Sequence, residues 1–413
     1  MARRVLNILV FNCGSSSLNY KLFTASGPES LTVTVYGKAH RVGVHGTEPA
    51  FIEHHYHGAA QKQVVPLPDH RTAAALVLRY LQDVAAPVDA IGHRFVHGGP
   101  HFQRSALLTP ETLTRLEACL PLAPIHNPNS MSVIHECRAT LPAVPEYVTF
   151  DTAFHAPLRP AAYTYPLPAV LRERYGLRKY GFHGLSYQFV TREAARFLGV
   201  PLADLRLVAC HLGTGGSSVA AVAGGCSVDT TMGYSPLAGL MMSTRTGDLD
   251  PLLPLYLMRE RGLTPAQLEQ LFNKQSGLLG ISGLSSDLRD LLRRRDETGD
   301  ERAALAIALY IQRLKQAIGA YAVLLGGLDA LLFTDDIGVQ NWQVRAGACD
   351  GLAWCGVVLD EAANRTAPTD RIAVLNASTA PVRILSVPTD EERVIGMEGV
   401  ALLTAQENQH DPL

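Results

Sequence analysis

Val5-Leu-Asn-Ile-Leu-Val-Phe11 runs directly into Asn12-Cys-Gly-Ser-Ser-Ser17 and out again through Leu18, Tyr20, Leu22 and Phe23. An apolar β-rich run, a turn of small residues and a second apolar run predict two strands joined by a tight connection. Far downstream, Leu205-Arg-Leu-Val-Ala-Cys210 leads into His211-Leu-Gly-Thr-Gly-Gly-Ser-Ser218 and then Val219-Ala-Ala-Val222, which is the same arrangement again. A further echo pairs Val88-Asp-Ala-Ile-Gly-His-Arg94 with Leu328-Asp-Ala-Leu-Leu-Phe-Thr334. Similarity at so long a period predicts duplicated α/β lobes rather than a solenoid.

Outward from these strands, Arg71 to Leu81 carries Ala74, Leu78 and Leu81 on one helical face, and Glu301 to Leu325 is a long apolar-periodic stretch. Proline-rich Ala156–Pro168 and Ala380–Pro388 are the expected crossings between lobes. The expected division is an N-terminal lobe of residues 1–153 with 385–413, and a C-terminal lobe of residues 154–384.

The 413 residues, 47% apolar and 18% charged, exclude a disordered chain and a disulfide mini-scaffold. With 36 basic against 38 acidic residues the net charge is −2, so no global field attracts nucleic acid or an acidic membrane. Seven cysteines, scattered and never paired as C-x-x-C, are expected to be reduced cytoplasmic thiols without a zinc site. The apolar stretch after Arg3-Arg4 is too short for a signal peptide and contains Asn7. Ala317–Phe333 is broken by Gly326-Gly327 and Asp329, and is expected to be helix, turn and strand rather than a membrane span.

A turn of Gly and Ser between strands aims several backbone N–H groups and hydroxyls at one point, which suits a phosphate. Two such turns, one per lobe, are a stronger signal than either alone. Arg94 stands at a strand end beside Gly98-Gly99, and a guanidinium fork matches a carboxylate or phosphoryl group. Pro124-Ile-His-Asn-Pro128, Phe150-Asp-Thr-Ala-Phe-His155 and Tyr180-Gly-Phe-His-Gly184 each set a His or Asp in a short loop. His54-His55-Tyr-His57 is expected to be structural or at the surface. The stretch Asp229 to Asp248, rich in small residues, carries a second isolated arginine, Arg245.

Taken together, these motifs, with Cys210-His-Leu-Gly, Ser276-Gly-Leu-Leu-Gly-Ile-Ser-Gly and Asp287-Leu-Arg289, resemble the acetate kinase family in family order from Val5 to about Ile395. The resemblance implies two ribonuclease-H-like, actin-like ATPase lobes with a central cleft, a homodimer, and phosphoryl transfer from ATP to acetate with Mg2+. It implies that Asn12 and Glu391 hold magnesium. Arg94, His126, Asp151, His183 and Arg245 are the implied catalytic residues, with Val96, Phe182 and Pro236 around the methyl group and Arg94 on the carboxylate. Ser15, Ser17, Asn19, His211, Leu212, Gly213, Thr214, Gly215, Asp287, Leu288, Arg289, Asp336 and Gly338 would contact the nucleotide.

The chain departs from the family pattern at four places. Asn19 stands where the family has Lys, with Lys21 expected on the opposite side of the strand; Thr214 replaces Asn and Tyr187 replaces His. Asp335-Asp-Ile-Gly-Val-Gln-Asn341 stands where the family's Gly-Ile-Gly-Glu-Asn closes over adenosine. Each added carboxylate would oppose a phosphate charge by about 3 kcal/mol at roughly 5 Å and an effective dielectric near 20. Another short-chain acid, another donor such as pyrophosphate, or a paralogue without turnover are the alternatives.

Overall fold

The computed structural model describes residues 5–410 apart from His45 and Thr47, with side chains as far as Gln406. The chain divides into two compact units, residues 1–154 with 390–413 and residues 155–389.

In the first unit the opening apolar run becomes strand β1 (Leu6–Cys13), buried on both faces from Ile8 onward. That continuous burial is what a central strand covered on both faces demands, here with β2 antiparallel on one side and β6 parallel on the other. It turns through residues 14–16, where Gly14 N–H donates to the Ser17 carbonyl at 2.9 Å, into β2 (Ser17–Gly27). Four more strands follow: β3 (Ser30–His40), β4 (Phe51–Tyr56), β5 (Ala59–Val64) and β6 (Ala90–Phe95). With the short β7 (Ala106–Leu107) and β8 (Glu146–Phe150) the sheet has the order β5-β4-β3-β2-β1-β6-β8-β7, parallel from β1 through β6 to β8. The predicted helix is His70–Asp83, begun by the Asp69 carboxylate accepting Thr72 N–H, and it buries Ala74, Leu78 and Leu81 as its spacing required. The C-terminal helix Glu391–His410 returns to this unit against β1, β2 and β6, where Tyr147 Oη donates to the Ile395 carbonyl at 2.8 Å.

The second unit repeats the plan with fewer strands. Its sheet is built from β9 (Arg206–Gly213), β10 (Gly216–Ala223), β11 (Cys226–Thr230), β12 (Ala330–Thr334), β13 (Ala373–Val374) and β14 (Arg383–Ser386), in the order β11-β10-β9-β12-β14-β13. The β9–β10 hairpin with parallel β12 and β14 matches β1–β2 with parallel β6 and β8, which is the duplication visible in the sequence. Helix Glu301–Leu324 is begun by Asp300, which accepts from Arg302 and Ala303 N–H, and buries Ala303, Ile307, Tyr310, Leu314, Ile318 and Tyr321 along one stripe. Gly326 and Gly327 then turn the chain into β12, so Ala317–Phe333 is the helix, turn and strand expected. Among the described residues no helix is long and apolar enough to cross a membrane.

One expectation is corrected here. The return to the first unit does not begin at 385: Arg383–Ser386 is a strand bonded to β12, so residues 385–389 stay in the second unit, and Phe154 belongs to the first. The His54 to His57 run is structural at one end and at the surface at the other, as expected. Alternation along β4 buries His54, whose Nδ1 shares a 2.6 Å hydrogen bond with Tyr20 Oη and whose ring stacks on Tyr80, while His57 is exposed.

Candidate active site

In the first unit, β1 and β6 lie side by side, which brings Asn12 and Arg94 together at their C-terminal ends. Arg94 donates from Nε and Nη2 to the two oxygens of Asp151, at 2.8 and 2.6 Å, and from Nη1 to Asn12 Oδ1 at 3.0 Å. Burial works against the charged guanidinium, but Asp151 and Glu391 outweigh it and raise the Arg94 pKa above its ordinary value. Asn12 Nδ2 donates to both Glu391, at 3.1 Å, and Glu392, at 2.9 Å, because the C-terminal helix starts at this spot. Glu392 was not anticipated beyond its neighbour, and its adjacency to Glu391 at a helix start was the available signal.

Lys21 requires a correction. Strand side chains alternate with a period of two, so residues 19 and 21 share a face of β2. The Lys21 ammonium reaches Asp390 at 2.7 Å and Glu392 at 3.5 Å, on the rim of the same cluster. Four carboxylates, Asp151, Asp390, Glu391 and Glu392, therefore face two cations, Arg94 and Lys21. The surplus of negative charge and the hard oxygen donors Asn12 Oδ1 and Glu391 fit a magnesium ion. Ser15 is exposed in the first turn, and Ser17 and Asn19 are half-buried on β2. Val96 is buried just past β6, and His126 is half-buried one residue before helix Asn127–Thr140.

In the second unit the β9–β10 turn carries Thr214 and Gly215 at its exposed tip. His183 stands before helix Gly184–Leu198 in the left-handed region at φ 59°, and its ring stacks on His211 of β9 with centroids 4.0 Å apart. The point that a Gly216 side chain would occupy lies 3.4 Å from both His183 Nε2 and Arg245 Nη1, so both groups look onto the turn.

Arg245 is held by a knitted loop. Met242 N–H donates to the Arg245 carbonyl at 3.0 Å, and Leu278 N–H to the Met242 carbonyl at 2.9 Å. Gly277 makes that approach possible: a Cβ there would lie 2.1 Å from the Met242 carbonyl oxygen, and its φ is +64°. Gly277, outside the Asp229–Asp248 stretch, thus lets the chain close tightly on the backbone that carries Arg245. Arg245 donates only weakly placed bonds, to the Pro236 carbonyl at 3.3 Å and toward the Met242 sulfur at 3.9 Å. Burial lowers its pKa, and among the described residues no carboxylate lies within ion-pair distance. Phe182 is buried and Pro236 half-buried beside these groups in sequence. His155, by contrast, is structural: buried, it bonds Ser227 Oγ at 2.7 Å and the Phe182 carbonyl at 2.9 Å.

The segment least like the family does not form an open turn. Asp335–Gln340 is a short helix, pinned where buried Arg345 donates to the Gly338 and Val339 carbonyls at 2.9 and 2.6 Å. Its two carboxylates fold onto the β9–β10 turn. Asp335 Oδ2 pairs with His211 Nε2 at 3.0 Å, and a Cβ on Gly213 would sit 2.0 Å from that oxygen. Asp336 accepts from Thr214 N–H at 2.8 Å and also from the Thr214 hydroxyl. Thr214, Asp287, Leu288, Arg289 and Asp336, all expected around a nucleotide, do converge, on a recess of about 20 Å³, room for one water molecule. Arg289 is turned back onto Asp287 at 2.7 Å at its rim.

Two duplicated α/β units, each closing a small-residue hairpin turn beside an arginine, define a phosphotransferase of the actin-like ATPase class. The comparisons agree. Residues 7–397 match the model of the acetokinase family. The chain is 41% identical over 410 residues to the acetate kinase of Clostridioides difficile, covering 96% of this chain and 100% of that one. The crystal structure of Porphyromonas gingivalis acetate kinase superimposes with a TM-score of 0.86 at 35% identity, covering 96% and 100% of the two chains. A propionate kinase from Francisella tularensis gives the same TM-score of 0.86 at 32% identity, covering 95% and 98%. The chain belongs to the acetokinase family, phosphotransferases with a carboxyl group as acceptor.

Proposed function

We propose that this chain transfers a phosphoryl group reversibly between ATP and acetate, forming acetyl phosphate and ADP. The observation that carries the reading is Arg245, a half-buried guanidinium with no carboxylate counter-ion among the described residues, held beside a hairpin turn and His183. A cation kept uncompensated at the cost of desolvation suits an anion that arrives as substrate. Phosphoryl transfer asks mainly for positioning and charge neutralisation, and acetate is already a nucleophile that needs no strong base.

In this reading Arg94, aligned by Asp151, grips the carboxylate, and Val96, Phe182 and Pro236 receive the methyl group. Arg245, His183 and His126 stabilise the charge on the moving phosphoryl. Ser15, Ser17, Asn19, His211, Leu212, Gly213, Thr214 and Gly215 serve the phosphates. Asp287, Leu288, Arg289, Asp336 and Gly338 serve the nucleoside. Asn12 and Glu391 would hold magnesium, which supplies charge neutralisation of the phosphate oxygens. The reading includes a cytoplasmic setting, consistent with seven free cysteines, and a homodimer.

A donor other than ATP, such as pyrophosphate, is favoured by one observation: Asp336 occupies the Thr214 N–H that a nucleotide phosphate would use. The deciding assay traps acyl phosphate as its hydroxamate from purified protein with acetate or propionate, ATP or pyrophosphate, and magnesium. The expected result is acetyl hydroxamate with ATP, abolished by chelation. Product with pyrophosphate alone would replace the donor, and no product from any pair would leave a paralogue without turnover.

A further inference from the structure

Tyr187 lies in helix Gly184–Leu198 one turn after His183, and its N–H donates to the His183 carbonyl at 3.0 Å. Both side chains meet on one atom of β10. Ser218 Oγ is 2.5 Å from Tyr187 Oη and 2.8 Å from His183 Nδ1, and Tyr187 and Ser218 are fully buried. The resemblance places a histidine at position 187, so the phenol is a departure of this chain.

The directions of these hydrogen bonds have chemical consequences. The backbone N–H of His211 also reaches the Tyr187 oxygen, and burial pushes the phenol far above its ordinary pKa, so it stays protonated. A phenol oxygen that accepts there has its own proton to give, and Ser218 Oγ is in reach. Ser218, having accepted, gives its single proton to His183 Nδ1. An imidazole that accepts at Nδ1 carries its proton on Nε2. Nε2 is the nitrogen that faces Gly216, with Arg245 beside it. The opposite order would aim a lone pair at an anion.

We propose that Tyr187 is a positioning residue which, through Ser218, fixes His183 in the tautomer that presents Nε2–H to the transferring phosphoryl oxygens. This rests on the reading above that His183 serves the phosphoryl group. The groups facing His183 include Ser218 from β10, His211 from β9, whose Nε2 is paired with Asp335, and Arg245 across the turn. Tyr187 itself does not titrate in the working range, whereas a histidine in its place would.

The test uses three variants of the full chain, Tyr187→Phe, Ser218→Ala and Tyr187→His, with protein labelled with 15N in histidine. The His183 signals are assigned by their loss in His183→Gln. Wild type is expected to show the Nε2–H tautomer. Tyr187→Phe and Ser218→Ala are expected to shift it toward Nδ1–H and to lower kcat about tenfold with KM for the acid little changed, as loss of an orienting partner does elsewhere. Tyr187→His should restore much of kcat while adding an acid limb to the pH profile near the imidazole range. The inference is overturned if wild type shows Nδ1–H, or if the tautomer is unchanged in the truncated variants, whatever their activity. Should one truncated variant fail to fold, the tautomer in the other and in Tyr187→His decides. Full activity in His183→Gln, by contrast, would overturn the underlying reading of His183 and leave the tautomer result to stand separately.

Discussion

At the scale of single residues, the two arginines differ in a way that their similar glycine-flanked settings conceal. Arg94 forms a two-pronged pair with Asp151, which is 1% exposed, whereas Arg245 has no such partner among the described residues. Removing Arg94 strands a buried carboxylate, so Arg94→Ala should cost about 3–5 kcal/mol of stability in addition to activity. Arg245→Ala removes a desolvated cation and should leave the thermal midpoint nearly unchanged while lowering kcat by about a hundredfold or more. Thermal melts and steady-state kinetics on the two variants check this together. Arg245→Ala with more than half of wild-type turnover would show that the guanidinium does not touch the reacting group.

At the scale of elements, the short helix Asp335–Gln340 covers the second turn. Asp336 holds the Thr214 N–H and hydroxyl, so in the proposed reading a nucleotide phosphate would have to displace a carboxylate there. Asp336→Gly is therefore expected to tighten ATP binding by about tenfold at fixed magnesium, less than the full Coulomb term because the carboxylate is half-exposed to solvent. Isothermal titration reads this directly, and weaker binding in the variant would mean that Asp336 assists the nucleotide. The pairing of Asp336 with Thr214 was not legible in the sequence. Both residues stood out as departures, but they lie on strands and helices far apart in the chain, and only the parallel pairing of β9 with β12 brings them together.

At the scale of the molecule, a three-turn helix is left without a core to face. None of the ten residues of Leu252–Arg261 is buried, and Leu252, Leu255 and Met258 are 64, 49 and 38% exposed on a stretch reading Leu-Leu-Pro-Leu-Tyr-Leu-Met. A contiguous apolar surface of this kind is a place for association, and the homodimer proposed above would cover it with a second copy. Light scattering should give twice the chain mass of 44.6 kDa, and Leu252→Glu with Leu255→Glu should give the single mass with an intact fold. A monomeric wild type would end the proposal.

The sequence by itself determined β1, β2, β6, β9, β10 and β12 and the duplication they carry. Burial on both faces leaves a long unbroken apolar run such as Ile8–Phe11, and small-residue turns have a composition of their own, so both are written locally. Whether Lys21 joins the acidic cluster, which carboxylate covers Thr214, and which atom orients His183 were decided only by tertiary structure. Those contacts join Lys21 to Asp390, Thr214 to Asp336 and His183 to Ser218. Each depends on strand register and helix placement fixed by packing of the whole unit, which no local pattern encodes.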